Sequence, residues 1–339
     1  MNASQNKTGT LLFSLDTELA WGYFDQFRPG DFSPDGVKER ESVRILLDIL
    51  HEYHITATWG VVGHMLYKKC ENCKICPILD WKDKYASFEH IYEAGSRLWY
   101  GPDVLESILD RGDGHEIAFH GYTHSIFDER TMSEEAARIE IEEWLRLAQR
   151  TSITPYTVIF PRNRVGFLNL FKEYGFACYR GDEILPEICS YPLVGRFFRR
   201  YHDFLSSFTT PSVFERCELE SSGLINVPST QHLLEYSQSA QKMLNALDLH
   251  KLCIDRVKMG VQKAVEERKI FHLRAHPNDF RSEKDFDILR RVFSYAADEV
   301  ARGRLQSVSM GMCARTSLFE STERAGESSP TPQLRLSTG

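Results

Sequence analysis

Short apolar runs alternate with amphipathic stretches along most of this chain, and that rhythm limits its folds more than any other feature. TLLFSLD (10–16), ITATWG (55–60), HEIAFH (115–120), TPYTVIFP (154–161), FACYRG (176–181), GLINVPS (223–229), KIFHLRAH (269–276) and RLQSVSM (304–310) read as strands. Between them, residues 36–53 place Val43, Leu46, Leu47 and Leu50 at helical spacing, and 101–112, 133–150, 166–175, 250–268 and 282–303 also read as helices. Ser133 and a second serine, Ser282, stand as N-caps, and Glu134 and Glu135 suit the positive end of a helix dipole. Strand–helix alternation implies a parallel sheet with helices packed outside it. The number of alternations favours one closed or nearly closed barrel over two domains. The expected architecture is an α/β fold, a distorted (β/α) barrel of about seven parallel strands over residues 10–312, with irregular insertions at about 61–100 and 182–222. Residues 316–339, rich in Ser, Thr, Glu and Pro, are expected to form a disordered tail.

Composition narrows the function classes. The net charge of -7 offers no general basic face for nucleic acid. Arg196, Arg199 and Arg200 form a local basic run, read as a solvated loop. No apolar run approaches membrane-spanning length, and the polar stretch Met1–Gly9 does not resemble a signal peptide. The expected location is cytoplasmic, with loose association at the inner membrane face as an extension of that reading. The 8 cysteines are then mostly reduced thiols. Cys70, Cys73 and Cys76 form C-x-x-C-x-x-C; plain thiols are the simpler reading, and a structural zinc or iron–sulfur cluster the sharper one.

The residues that carry chemistry fall at strand ends. With 12 histidines in 339 residues, about 0.4 pairs at any fixed spacing arise by chance, so His120 and His124 in HEIAFHGYTH prove little alone. A second pair, His272 and His276, has the same spacing, but roughly 13 Å of strand separates its members. His120 and His124 instead span a strand end and a loop that can curl one back beside the other. Active sites of α/β barrels lie at the C-terminal ends of the strands. There the sequence places Asp16 and Glu18, Trp59, His120 and His124, Arg162 and Asn163, Asn226 and Ser229, and His276. Trp21, Trp59 and Trp99 read mainly as core.

These motifs resemble the polysaccharide deacetylase family, with its nodulation-type chitooligosaccharide deacetylase (NodB-like) domain. SLDTE matches the acidic first motif, His120-Gly-Tyr-Thr-His124 the second, FPRNRVG loosely the third, and HLRAHP the late strand ending in histidine. LDTELAWG, LWYGPD and RKIFHL resemble a branch associated with surface-glycan synthesis. The chain departs from the family pattern in having Thr17 after Asp16, with Glu18 as the second carboxylate, and Asn163 after Arg162. The resemblance implies a metal-dependent hydrolase that removes an acetyl or formyl group from a sugar amide. Glu18, His120 and His124 would hold a divalent metal, most readily Zn2+, with Co2+, Ni2+ or Fe2+ as alternatives. Asp16 would be the base, an assignment exchangeable with Glu18; His276 would be the acid and Arg162 would orient Asp16. The oxyanion would meet a backbone N–H near Tyr122, and Asp279 is one choice for the carboxylate that tunes the acid. An N-acylated sugar, a nucleotide-sugar or a lipid-linked glycan would be the substrate. Two competing readings are a ureide-type amidohydrolase on the same fold and a lapsed enzyme that only binds glycan. A zinc peptidase is disfavoured, because HGYTH lacks the glutamate of H-E-x-x-H.

Overall fold

The computed structural model describes residues 8–23, 25, 32–69, 75, 96–185, 210–234 and 250–327. The cysteine triplet, the basic run at 196–200 and most of both expected insertions lie outside these residues.

The expected alternation is present. The strands are β1 (Gly9–Thr17), β2 (Thr58–Val61), β3 (Glu116–Phe119), β4 (Thr157–Val158), β5 (Cys178–Glu183), β6 (Glu218–Leu219), β7 (Ile225–Ser229), β8 (Gln231–His232), β9 (Ile270–Ala275) and β10 (Leu305–Ser307). The helices are α1 (Val37–Glu52), α2 (Pro102–Asp110), α3 (Glu134–Arg150), α4 (Leu168–Glu173), α5 (His250–Glu267), α6 (Glu283–Ala301) and α7 (Met310–Glu327). Hydrogen bonding orders the sheet β6-β7-β5-β4-β3-β2-β1-β9-β8, with β10 also on β1. All pairings are parallel except β6 with β7. The sheet curls into a half-barrel. The Thr230 N–H donates to the His272 carbonyl at 3.0 Å, drawing the end of β7 toward β9 across the gap.

Local sequence explains the elements. β1 is buried along its whole length, the pattern of a strand covered on both faces. It pairs with β9 on one side and with β10 and β2 on the other. Val43, Leu46, Leu47 and Leu50 of α1 are buried, and each such side chain is stabilised by about 1.5–3 kcal/mol relative to exposure. Ser133 caps α3, its Oγ accepting from the Ala136 N–H at 3.2 Å. β4 is only two residues long because Pro161, which has no N–H, opens a tight turn after it.

The expected tail is corrected in part: α7 runs from Met310 to Glu327, through the first half of the segment read as disordered. Met310, Cys313, Ala314 and Ser317 recur at i, i+3, i+4 and i+7 and are buried. The first turn of α7 closes the N-terminal end of the barrel. The Met310 N–H donates to Thr58 Oγ1 and the Gly311 N–H to Glu116 Oε2, both at 2.9 Å. Glu116 also accepts from the Thr58 and Thr157 hydroxyls, at 2.9 and 2.5 Å. A carboxylate at a helix N-terminus satisfies both orphan amides and the dipole. Among the described residues no helix is long and apolar enough to cross a membrane.

Candidate active site

Five of the six expected site residues meet at the C-terminal end of the sheet. Asp16 lies near the end of β1 and Glu18 just beyond it, His120 follows β3, His124 lies in the next loop, and His276 follows β9. One oxygen of Glu18, Oε2, is 3.1 Å from His120 Nε2 and 2.8 Å from His124 Nε2. All three residues are buried. Gly22 permits this carboxylate position, since a Cβ there would lie 1.9 Å from Glu18 Oε1.

The loop curls as its sequence allows. Gly121 has φ +76, favourable only for glycine, and His124 has φ +58. A Cβ on Gly121 would stand 3.1 Å from the His124 backbone. Glu140, buried in α3, clamps the turn: it accepts from the Tyr122 and Thr123 amides at 2.8 and 3.0 Å and from the Thr123 hydroxyl. The Tyr122 N–H is therefore engaged by Glu140, which leaves the oxyanion donor expected near Tyr122 or in the following loop to another backbone amide.

The donor set fits a cation. His120 Nδ1 donates to the Ile159 carbonyl at 2.8 Å, which turns the lone pair of a neutral ring at Nε2 toward Glu18. His124 Nε2 is buried beside the same oxygen without an aligned hydrogen bond. Two imidazole lone pairs facing one carboxylate repel it unless a proton or a metal lies between them. Burial opposes the charge on Glu18, but with protons on the facing nitrogens His124 and His120 outweigh it and hold the carboxyl well below its usual range.

The arginine on Asp16 is Arg180, not Arg162. Arg180, third in β5 and fully buried, makes a two-pronged pair: Nη1 to Oδ1 at 2.5 Å and Nη2 to Oδ2 at 2.6 Å. Burial alone would raise the Asp16 pKa, yet Arg180 pulls it well below the usual value, so the carboxylate stays ionised. Asn163 Oδ1 accepts from Arg180 Nη2 at 2.8 Å. Arg162 and Asn163 both have φ +52, and this left-handed step after Pro161 separates them. Asn163 reaches Arg180, while Arg162 pairs with Asp25 through Nη1 at 2.9 Å. The expected role of Arg162 is thus filled from another strand.

His276 faces both carboxylates, its Nε2 3.8 Å from Asp16 Oδ2 and 3.9 Å from Glu18 Oε1. Its Nδ1 lies 3.2 Å from Asp279 Oδ2. Burial disfavours its charge, but Asp279, then Glu18 and Asp16, outweigh burial and push its pKa up to about 10. His272, the bystander of its pair, hydrogen bonds to Ser14 Oγ and the Pro228 carbonyl, each at 2.9 Å. Trp21, Trp59 and Trp99 are fully buried, as expected for core.

The polysaccharide deacetylase family matches residues 31–164. The resemblance read from the motifs is borne out over those residues, and the match supports a hydrolase acting on the amide bonds of sugar N-acetyl groups. Solved structures share the fold. A putative polysaccharide deacetylase from Mycobacterium smegmatis aligns at TM-score 0.58 and 16% identity, covering 100% of this chain and 98% of that one. The Puue allantoinase aligns at 0.55 and 15%, covering 92% and 91%. A probable polysaccharide deacetylase from Pseudomonas aeruginosa PAO1 aligns at 0.53 and 16%, covering 90% and 89%. No curated protein matches the sequence.

Proposed function

We propose that the protein is a metal-dependent N-deacylase of a sugar or glycan intermediate, with Glu18, His120 and His124 as metal ligands. The observation that carries this reading is one buried Glu18 oxygen flanked by two imidazole Nε2 atoms, at 3.1 and 2.8 Å. Three protein ligands with positions left open are the mark of a catalytic rather than a structural metal. A divalent ion bound there supplies acidity toward water and polarises the acyl oxygen. Zn2+ suits two imidazoles and a carboxylate, and Co2+, Ni2+ or Fe2+ would be accepted by the same donors.

The chain's own residues do the rest. Asp16, kept ionised by Arg180, accepts the proton of the attacking water. Arg180 also fixes the carboxylate plane, and Asn163 and Ser14 in turn hold Arg180, at 2.8 and 3.2 Å. His276, charged and held by Asp279, delivers a proton to the departing amine, which leaves badly without one. Acetyl and formyl groups on a free sugar, a nucleotide-sugar or a lipid-linked glycan all present the amide this arrangement handles. A cytoplasmic setting would suit the last two carriers.

Elemental analysis of the wild type beside His120→Ala/His124→Ala tests the site, and acyl release from a panel of N-acylated sugars tests the reaction. One ion lost in the double variant, together with turnover of a sugar amide, supports the reading. Turnover of allantoin alone would move the enzyme to the ureide class. No ion after reconstitution with zinc or cobalt would leave a glycan-binding protein.

A further inference from the structure

We infer that the cleft holds a second divalent-metal site, formed by His232, His276 and Asp279. The three candidate ligand atoms are His232 Nε2, His276 Nδ1 and Asp279 Oδ2. His276 Nδ1 is 3.2 Å from Asp279 Oδ2 and 3.3 Å from His232 Nε2, and His232 Nε2 is 3.5 Å from Asp279 Oδ2. Hydrogen bonds between such atoms centre near about 2.9 Å and fade beyond about 3.2 Å. An ion with metal–ligand bonds of about 2.0–2.1 Å spaces tetrahedral ligands about 3.3–3.4 Å apart. The His276–Asp279 edge stands at the outer limit of a hydrogen bond, the other two lie beyond it, and all three are close to the edge length of a coordination sphere.

The surroundings favour a cation. The His232 side chain is only 5% exposed, and its other nitrogen, Nδ1, is buried without a hydrogen-bond partner. A neutral ring with its proton on Nδ1 would present the Nε2 lone pair to the triangle. Asp279 is fixed by the His276 backbone N–H, which donates to Oδ2 at 2.7 Å. The nearest guanidinium on β9, Arg274, is paired with Glu183 at 3.1 Å. The donor set, two imidazoles and one carboxylate, repeats that of Glu18, His120 and His124.

The His276 ring joins the two sites. Nδ1 belongs to the second triangle, while Nε2 faces Asp16 and Glu18. A metal on Nδ1 takes the place of a proton there and leaves Nε2–H directed at the reacting groups. Excess divalent ion would then alter the acid step without displacing the first ion.

The test is cobalt stoichiometry by elemental analysis after exhaustive dialysis. All proteins would carry Cys70→Ser, Cys73→Ser and Cys76→Ser, so that thiol-bound metal does not enter the count. The expected result is two ions per chain for the parent and one for His232→Phe, which keeps the ring volume. His120→Ala/His124→Ala should also keep one, and the combined variant none. Should His232→Phe fail to fold, His232→Asn carries the same expectation. A His232 variant that binds as much cobalt as its parent overturns the inference, as does complete loss of cobalt in the His120/His124 variant. The two sites fail separately: loss of an ion only in the His232 variant would refute the proposed catalytic ligands and leave the second site standing.

Discussion

The two ends of the half-barrel bury carboxylates in opposite ways. At the N-terminal end, Glu116 meets only donors, the Thr58 and Thr157 hydroxyls and the Gly311 amide, while the Met310 amide donates to Thr58 and completes the network. At the C-terminal end, Glu18 faces imidazole nitrogens that satisfy it only through a proton or a metal, and Asp16 rests on a single guanidinium. The first arrangement is complete with protein atoms alone. The second needs a proton or a cation between its atoms, and it lies where barrel enzymes place their chemistry. Glu116 is partly buried while Asp16 and Glu18 are buried, and the identity of the facing atoms is what most separates the two ends.

Substitutions should split along that line. Asp16→Asn keeps shape and removes the proposed base, so kcat/KM should fall by about 10^2–10^4-fold while bound metal is unchanged; loss of metal as well would exchange the proposed roles of Asp16 and Glu18. Arg180→Ala strands a buried carboxylate and should cost about 3–5 kcal/mol in denaturant unfolding along with most activity. Arg162→Ala breaks a pair exposed by 29% and 25% and should cost no more than about 1 kcal/mol. Equal effects at the two arginines would reverse the assignment made here. Glu116→Ala leaves donors of the buried Thr58, Thr157 and Gly311 unpaired and should cost about 1–3 kcal/mol with kcat per folded molecule preserved. A proportionate drop in kcat would mean the two ends are coupled.

The buried histidines set the pH dependence. Burial lowers the pKa of His64 to about 4, and burial together with Arg180 lowers that of His272 to about 3. Between those values and about 6.5 the unfolded chain binds a proton that the folded chain refuses, so stability falls on acidification, by about 1.4 kcal/mol per pH unit for each fully engaged group. His276 acts in the other direction. Its raised pKa stabilises the fold fully below about 6.5, and that contribution is lost as pH rises toward about 10. Urea titrations at pH 7 and 5 on the wild type and His272→Phe should show a shallower acid loss in the variant; identical slopes would remove His272 from the account.

Much of this was legible in the sequence, because strand ends are legible. Asp16, Glu18, His120, His124 and His276 each follow an apolar run, and a parallel sheet has to bring such ends to one rim. Arg180 was missed because it lies inside FACYRG; an arginine within an apolar strand is nonetheless a signal, since it is rarely buried without an acid. Glu140 and Glu116 looked like ordinary polar positions of a helix and a strand, and only tertiary contacts reveal what they hold. His232 sits in a two-residue strand with no periodicity to mark it. In α7 the polar composition masked a narrow stripe of Met310, Cys313, Ala314 and Ser317, where small residues bury a helix without a strong apolar signal.

The position of β1 bears on how the chain is made. Its partner along one whole edge, β9, begins at Ile270, so at about 5–20 residues per second roughly 10–50 s of synthesis separate the two strands. During that interval the longest strand of the sheet presents an unpaired edge, the kind of template that invites wrong partners. The last turn of the network around Glu116 waits longer still, for Met310 and Gly311. Yield in a cell should therefore depend on what shelters that edge while the ribosome finishes, more than on the stability of the completed barrel.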